Sequence, residues 1–196
     1  MKQKIIYLGV VGQIAAGKGI LKDYLVDKLG FISFSLSTIL HDELEKRKIK
    51  KYTRKTLQDL GDELRKKYGR DILAKKAIKR FRVSRFTFHD KIIIEGIRNP
   101  GEIEYLKKLP YFILVGVKAK REFRYKRLLQ RAKPWDPKTW EEFLDVDRRD
   151  LGADQKKDGQ QVGICLHYCD YILTNNKSTE DFRRKIKQLT KEIINS

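Results

Sequence analysis

The chain of 196 residues carries 45 lysines and arginines against 26 acids, a formal charge of +19, with 40% hydrophobic and 36% charged residues and two cysteines. That length suits one domain with a substantial core, the apolar runs are far too short to span a bilayer, and two cysteines exclude a disulfide framework, which points to a reducing cytoplasm. The first expected strand follows Met1-Lys2 too closely to leave room for a secretion signal, and the positive field draws polyanions such as nucleotides, coenzyme phosphates or nucleic acid.

No repeat, low-complexity tract or linker divides the chain, so residues 1–196 read as a single domain. Strand-like runs at 4–10, 31–35, 91–95, 112–118 and 170–174 alternate with helical patterns at 18–29, 37–48, 54–67, 71–82, 100–108, 120–132, 138–149 and 179–194. This alternation predicts an α/β fold, a five-stranded parallel sheet flanked by helices.

In chain order, the first strand runs into Gly12-Gln13-Ile14-Ala15-Ala16-Gly17-Lys18-Gly19-Ile20. Gly12, Gly17 and Lys18 fit the G-x-x-x-x-G-K spacing of a phosphate-binding loop. Glycines let successive N–H groups turn into one hollow at a helix N-terminus, where unpaired donors favour an anion, and the lysine reaches the outer phosphates. Ile20, Leu21, Tyr24, Leu25 and Leu29 give the following helix its apolar side, and Gly30 ends it. The second strand ends at Ser35-Leu36-Ser37-Thr38 without an aspartate; the nearest, Asp42, lies more than a turn into the next helix. An acceptor that is already a phosphate needs no strong base there. Arg54, Gln58 and Arg65 fall on one broad helical face, with Arg70 beyond it.

The segment 83–90 reads as a connection. The third strand delivers Glu95-Gly96-Ile97-Arg98 at its C-terminal end, where parallel sheets bind ligands. An acid there can orient magnesium-bound water, and Arg98 can fork onto a phosphate. Asn99-Pro100 opens the next helix. Arg124, Arg127 and Arg131 lie on the sixth helix, and a lid of about 132–150 carries Arg148 and Arg149. Cys165, His167 and Cys169 supply three soft ligands where structural zinc wants four, which favours packing. Asn175-Asn176-Lys177 follows the last strand as a turn or an adenine contact through backbone groups. Ser178 and Asp181 start the final helix in the manner of a capping box.

These motifs resemble adenylate kinases and related nucleoside monophosphate kinases. Residues 12–20 resemble their G-x-P-G-x-G-K-G-T, with Ile14 for Pro, Ala15 for Gly and Ile20 for Thr. Glu95-Gly96-Ile97-Arg98 resembles D-G-F-P-R, and still more the D-G-I-R of archaeal adenylate-kinase-like proteins, with Asn99-Pro100-x-Glu102-Ile103-Glu104 continuing the match. Ser35 and Leu40 match S-T-G-D-x-L-R, with His41 in the arginine's place. Residues 54–65 resemble the R…L-Q-x-L-G-x-E…R stretch of phage-type deoxynucleoside monophosphate kinases, and Arg127 to Arg131 resembles the family's R-x-x-x-R helix.

The resemblance implies a P-loop kinase that moves the γ-phosphoryl of ATP·Mg²⁺ to a (deoxy)nucleoside monophosphate. Residues 12–20 would hold ATP, with Lys18 on its β- and γ-phosphates and Glu95 on Mg²⁺ through water. The acceptor would sit on Arg98 and one or more of Arg54, Arg65 and Arg70, with Ser35 and Gln58 beside it. Arg127, Arg131 and Arg148 would close over the transferring group. Two other readings stay open: a dephospho-coenzyme A kinase or other small-molecule kinase, and an ATP-binding protein that acts on nucleic acid.

Overall fold

In the computed structural model, which describes residues 5–83 and 91–195, the apolar runs pair as one parallel sheet. Its strands are β1 (Ile6–Gly12), β2 (Ile32–Ser35), β3 (Lys91–Glu95), β4 (Phe112–Lys118) and β5 (Tyr171–Thr174), in the order β2-β3-β1-β4-β5. β1 lies at the centre, with Tyr7 opposite both Ile92 and Phe112. The connection expected at 83–90 lies, beyond Val83, outside the described residues, as does the first residue of the expected opening strand.

The inner strands β1, β3 and β4 carry buried apolar runs because helices cover both faces. Leu8, Val10, Ile93, Val115 and Val117 point to one side, where α1 (Lys18–Leu29) and α9 (Thr179–Asn195) bury Leu21, Leu25, Phe182 and Ile186. Val11, Ile92, Ile94 and Leu114 point to the other. There they meet α2 (Ser37–Lys46), α3 (Arg54–Tyr68), α4 (Ile72–Val83), α5 (Pro100–Leu106) and the single turn α8 (Val162–Cys165). A third cluster of Ile14, Leu128 and Phe143 fastens α6 (Arg121–Arg131) and α7 (Trp140–Leu151) to the glycine loop.

Several helix ends follow from single residues. Thr53 and Thr56 cap α3 reciprocally, Asn99 and Glu102 do the same for α5, and Ala132 in the left-handed region (φ 44°) stops α6. The turn α8 and the 3-10 turn Leu166–Tyr168 were not anticipated, because so short a segment shows no periodicity. Cys165 is buried on α8, which packs on α5, α7 and β1, and both thiols are pushed up by burial, Cys169 to about 12. Among the described residues no three His, Cys, Asp or Glu side chains are grouped to hold a metal ion. No helix among the described residues is long and apolar enough to cross a membrane.

Candidate functional site: a phosphate loop ringed by arginines

Residues 12–20 leave the C-terminal end of β1, at the mid-line of the sheet, and enter α1. Gly17 stands at the helix start with φ 112°, and a Cβ there would run into the Asn175 amide. No side chain caps α1 and no acid occupies its first turn, so its first N–H groups and dipole remain for an anion. The loop is held from outside. Asn175 Nδ2 donates to the Ala16 carbonyl (2.9 Å), Ala119 N–H donates to Gln13 Oε1 (3.3 Å), and Arg124 Nη1 reaches the Ile14 carbonyl (3.4 Å). Asn175, read from sequence as a turn or adenine contact, is a buried brace of the loop.

Lys18 folds back on the loop, donating to the carbonyls of Gly12 (2.5 Å) and Gln13 (2.8 Å). Its ammonium is pushed down to about 7, first by burial and then by the charges of Arg98, Arg54 and Arg131, with Asp150 acting in the opposite sense. Arg54 is lowered to about 10 by burial and by Arg98 and Arg131. Cations that lower one another in this way would be relieved by an anion among them.

A cleft of about 420 Å³ opens over the loop, lined by Ala15 to Ile20, Lys22, Glu95, Arg127, Arg131 and Lys133. Glu95 accepts from Ser33 Oγ (3.1 Å), and burial raises its carboxyl. Beyond Glu95 a larger cleft of about 870 Å³ runs along β2 past Ser35, Thr38, Phe34 and Phe81. Gly96 (φ 79°) brings the β3 end within 3.0 Å of Ser35 Oγ at its absent Cβ, so a side chain there would press on Ser35. The donor set suits ATP with magnesium. The loop offers N–H groups and Lys18, and Glu95, the acid in the lining of that cleft, would be the one to meet the metal through water. Gly19 and Ile20 bring no hydroxyl, so the nucleotide's own phosphates would be the metal's main ligands.

The other predicted residues divide. Arg98 stands at the hub: its backbone N–H donates to Glu102 Oε2 (2.7 Å), and its guanidinium pairs with Asp150 of α7. Arg131 is held by both oxygens of Asp136 (2.6 and 2.8 Å), and Arg127 Nη2 donates to Asn175 O and Oδ1 (2.9 and 3.1 Å). Among the described residues Arg127 Nη1 and Arg54 Nε are buried without a partner.

Arg65, Gln58, Arg70 and Arg148 are placed elsewhere. Arg65 is fully buried against Glu102 (3.0 Å) and Asp62 (3.2 Å), and Gln58 Nε2 donates to Gln160 Oε1 (3.3 Å). They sit on the face of α3 that Leu57, Leu60 and Leu64 turn to the core, so they strut α3 against α5 and the 158–160 segment. Arg70 packs against Gly101, its Nη2 3.9 Å from Glu104. Arg148 is exposed, 3.7 Å from Asp154 on the outside of α7, because the buried stripe of that helix is Phe143, Asp147 and Asp150. Arg124 is a buried brace, bound by both oxygens of Asp147 (2.5 and 2.9 Å).

Sequence reading missed the acids Asp136, Asp147 and Asp150. The signal was present: two acids at i+4 and i+7 from Phe143 fall on a buried stripe, and buried acids require cations. It also missed a clasp of rings. His41 Nδ1 lies 3.0 Å from Tyr52 Oη, and Tyr52 stacks on Trp135 of the lid (5.7 Å).

No family model matches the chain. Among solved structures it is similar to TT1252 from Thermus thermophilus (TM-score 0.62, 19% identity, 96% of this chain and 98% of that one). It is also similar to shikimate kinase from Acinetobacter baumannii (TM-score 0.55, 15% identity, 98% and 95%). At that distance what they share with this chain is the fold, a parallel α/β sheet flanked by helices. A UPF0200 protein of Methanothermobacter thermautotrophicus is 28% identical over 193 residues (96% of this chain, 91% of the relative). One of Thermococcus kodakarensis is 30% identical over 189 residues (94% and 96%). At that identity over almost the full length of both chains, the protein belongs to the UPF0200 family.

Proposed function

We propose that this protein is an ATP-dependent phosphotransferase with a small acceptor. The observation that carries the reading is the crowding of Arg54, Arg98 and Arg131 around Lys18 at the mouth of an uncapped loop-to-helix turn. Phosphoryl transfer asks a protein mainly for position and fixed positive charge. Residues 12–20 would hold the triphosphate, Lys18 would leave the loop carbonyls for the β- and γ-phosphates, and Arg131 and Arg127 would approach from α6. Magnesium, when bound, would neutralise charge on the β- and γ-oxygens. The ring clasp of His41, Tyr52 and Trp135 draws the lid over the α2–α3 connection, which keeps water from the transferring group. The two free cysteines support the cytoplasmic location expected from the sequence.

The acceptor expected from sequence is a nucleoside monophosphate, its phosphate on Arg98 and one or more of Arg54, Arg65 and Arg70; with Arg65 paired to Glu102 and Arg70 near Glu104, Arg54 is the one left for that role. A hydroxyl-bearing acceptor, as the name shikimate kinase implies for one structural relative, is the second reading, and the buried Asp150 carboxylate favours it. The test is a coupled ADP-release assay with ATP·Mg²⁺ over ribo- and deoxynucleoside monophosphates, nucleosides, shikimate and dephospho-coenzyme A. One acceptor should raise ADP release far above the rate without acceptor. Slow release that no acceptor changes would overturn the kinase reading.

A further inference from the structure

Asp150 has a place that the kinase reading leaves unexplained. It ends the buried stripe of α7 and is 1% exposed. Its Oδ1 pairs with Arg98 Nη1, while Oδ2 is buried and, among the described residues, accepts no hydrogen bond. Its charge reaches Lys18 and Arg54. A buried carboxylate oxygen left unpaired is costly and calls for a donor. In the same hub Arg54 Nε is a donor without an acceptor. Arg98, which holds Asp150, follows the end of β3 beside β1, and Glu95 of that strand end lines the loop cleft, so this unmet acceptor lies at the edge of the sheet that carries Lys18.

The two acceptor classes meet this hub differently. A monophosphate dianion seated on Arg98 would bring like charge against Asp150 in a site poor in water, where such repulsion is strong. A neutral hydroxyl would instead donate to Asp150 Oδ2 and fill the vacant bond. The end of β2 carries no acid in contact with the loop: Asp42 is drawn away into an ion pair with Arg80. The acid missing from that strand end is supplied by α7.

We propose that the acceptor presents a hydroxyl group and that Asp150 is the catalytic residue that holds it and takes its proton. The proposal rests on the kinase reading above. The hydroxyl oxygen attacks the γ-phosphorus, and the new O–P bond forms as the bond from that phosphorus to the β–γ bridging oxygen breaks. ADP leaves with the electron pair. The hydroxyl proton passes to Asp150 Oδ2 and goes to solvent when product leaves. Arg98 then has two duties, anchoring Asp150 through Oδ1 and offsetting charge on the phosphoryl oxygens.

The test uses the full chain with ATP·Mg²⁺ and two sets of probes. One set carries hydroxyls to be phosphorylated (nucleosides, shikimate, dephospho-coenzyme A), and the other is nucleoside monophosphates. Phosphorus NMR separates a new phosphomonoester from a new phosphoanhydride and needs no variant. A phosphomonoester is expected. Asp150→Asn should then lower kcat by about 10²–10⁴-fold and leave the KM for ATP within about threefold. Asp150→Glu should restore part of the rate. A phosphoanhydride product overturns the proposal and leaves the kinase reading standing. So does a phosphomonoester made at full rate by Asp150→Asn. No acceptor-dependent ADP release in either set overturns the kinase reading and this proposal with it.

Discussion

At the scale of single residues, charge and burial decide what each side chain at the loop can do. Lys18 is pushed down to about 7 first by burial and then by the cations Arg98, Arg54 and Arg131, against which the two loop carbonyls it donates to are a small offset. A triphosphate would reverse that balance and lift it back towards the ordinary lysine range. The sign is then fixed: at pH 8 the free protein holds Lys18 mostly neutral, and nucleotide binding takes up about one proton. Below pH 6 Lys18 is already charged and the uptake disappears. Calorimetry in two buffers of different ionisation heat measures it. Lys18→Ala should cut turnover at least about 100-fold, as loss of a charge-stabilising donor does, while the circular dichroism spectrum and melting temperature stay near those of the natural chain. Arg98→Ala should act on acceptor use, seen as a fall in kcat/KM for the acceptor, with ATP affinity within a few-fold by calorimetry.

At the scale of elements, arginines of like appearance part company according to the face they occupy. On α6, Arg124 faces inward and is locked by Asp147, whereas Arg127 and Arg131 line the cleft. On α3, Arg65 lies beside the leucines and is locked by Glu102. Arg65→Ala would strand Glu102 as an uncompensated buried charge, so it should lower stability by about 3–5 kcal/mol, read by urea unfolding. Arg148→Ala, on the outer side of α7, should change it by less than about 0.5 kcal/mol. The repeating sequence pattern of α3 showed that Arg54, Gln58 and Arg65 share a broad face. It did not show that this face is shared with the core, because the pattern gives the angle between residues and not the partner they meet.

At the scale of the whole molecule, a charge of +19 on 196 residues sets up self-repulsion that only screening or bound anions relieve. Raising NaCl from about 0.02 to 0.3 M shortens the Debye length to under 10 Å and should raise the melting temperature by about 2–4 °C, or about 1 kcal/mol for a chain this long. A flat or falling curve would show that ion pairs such as Arg149 with Asp59 and Asp62 outweigh the repulsion. The sequence by itself determined the strands, most of the helices, the parallel sheet and the phosphate loop. Those depend on local chemistry: apolar runs, 3.6-residue spacing, and glycines at Gly12 and Gly17 where a Cβ would meet Val117 or Asn175. Only the tertiary structure decided which arginines meet the loop, that Asn175 braces it, and that Asp150 is set against Arg98. Those outcomes depend on contacts between residues far apart in the chain, such as Arg98 with Asp150 and Arg65 with Glu102. Charge carries no sequence period, so a cation's role is settled by the acid that folding sets against it.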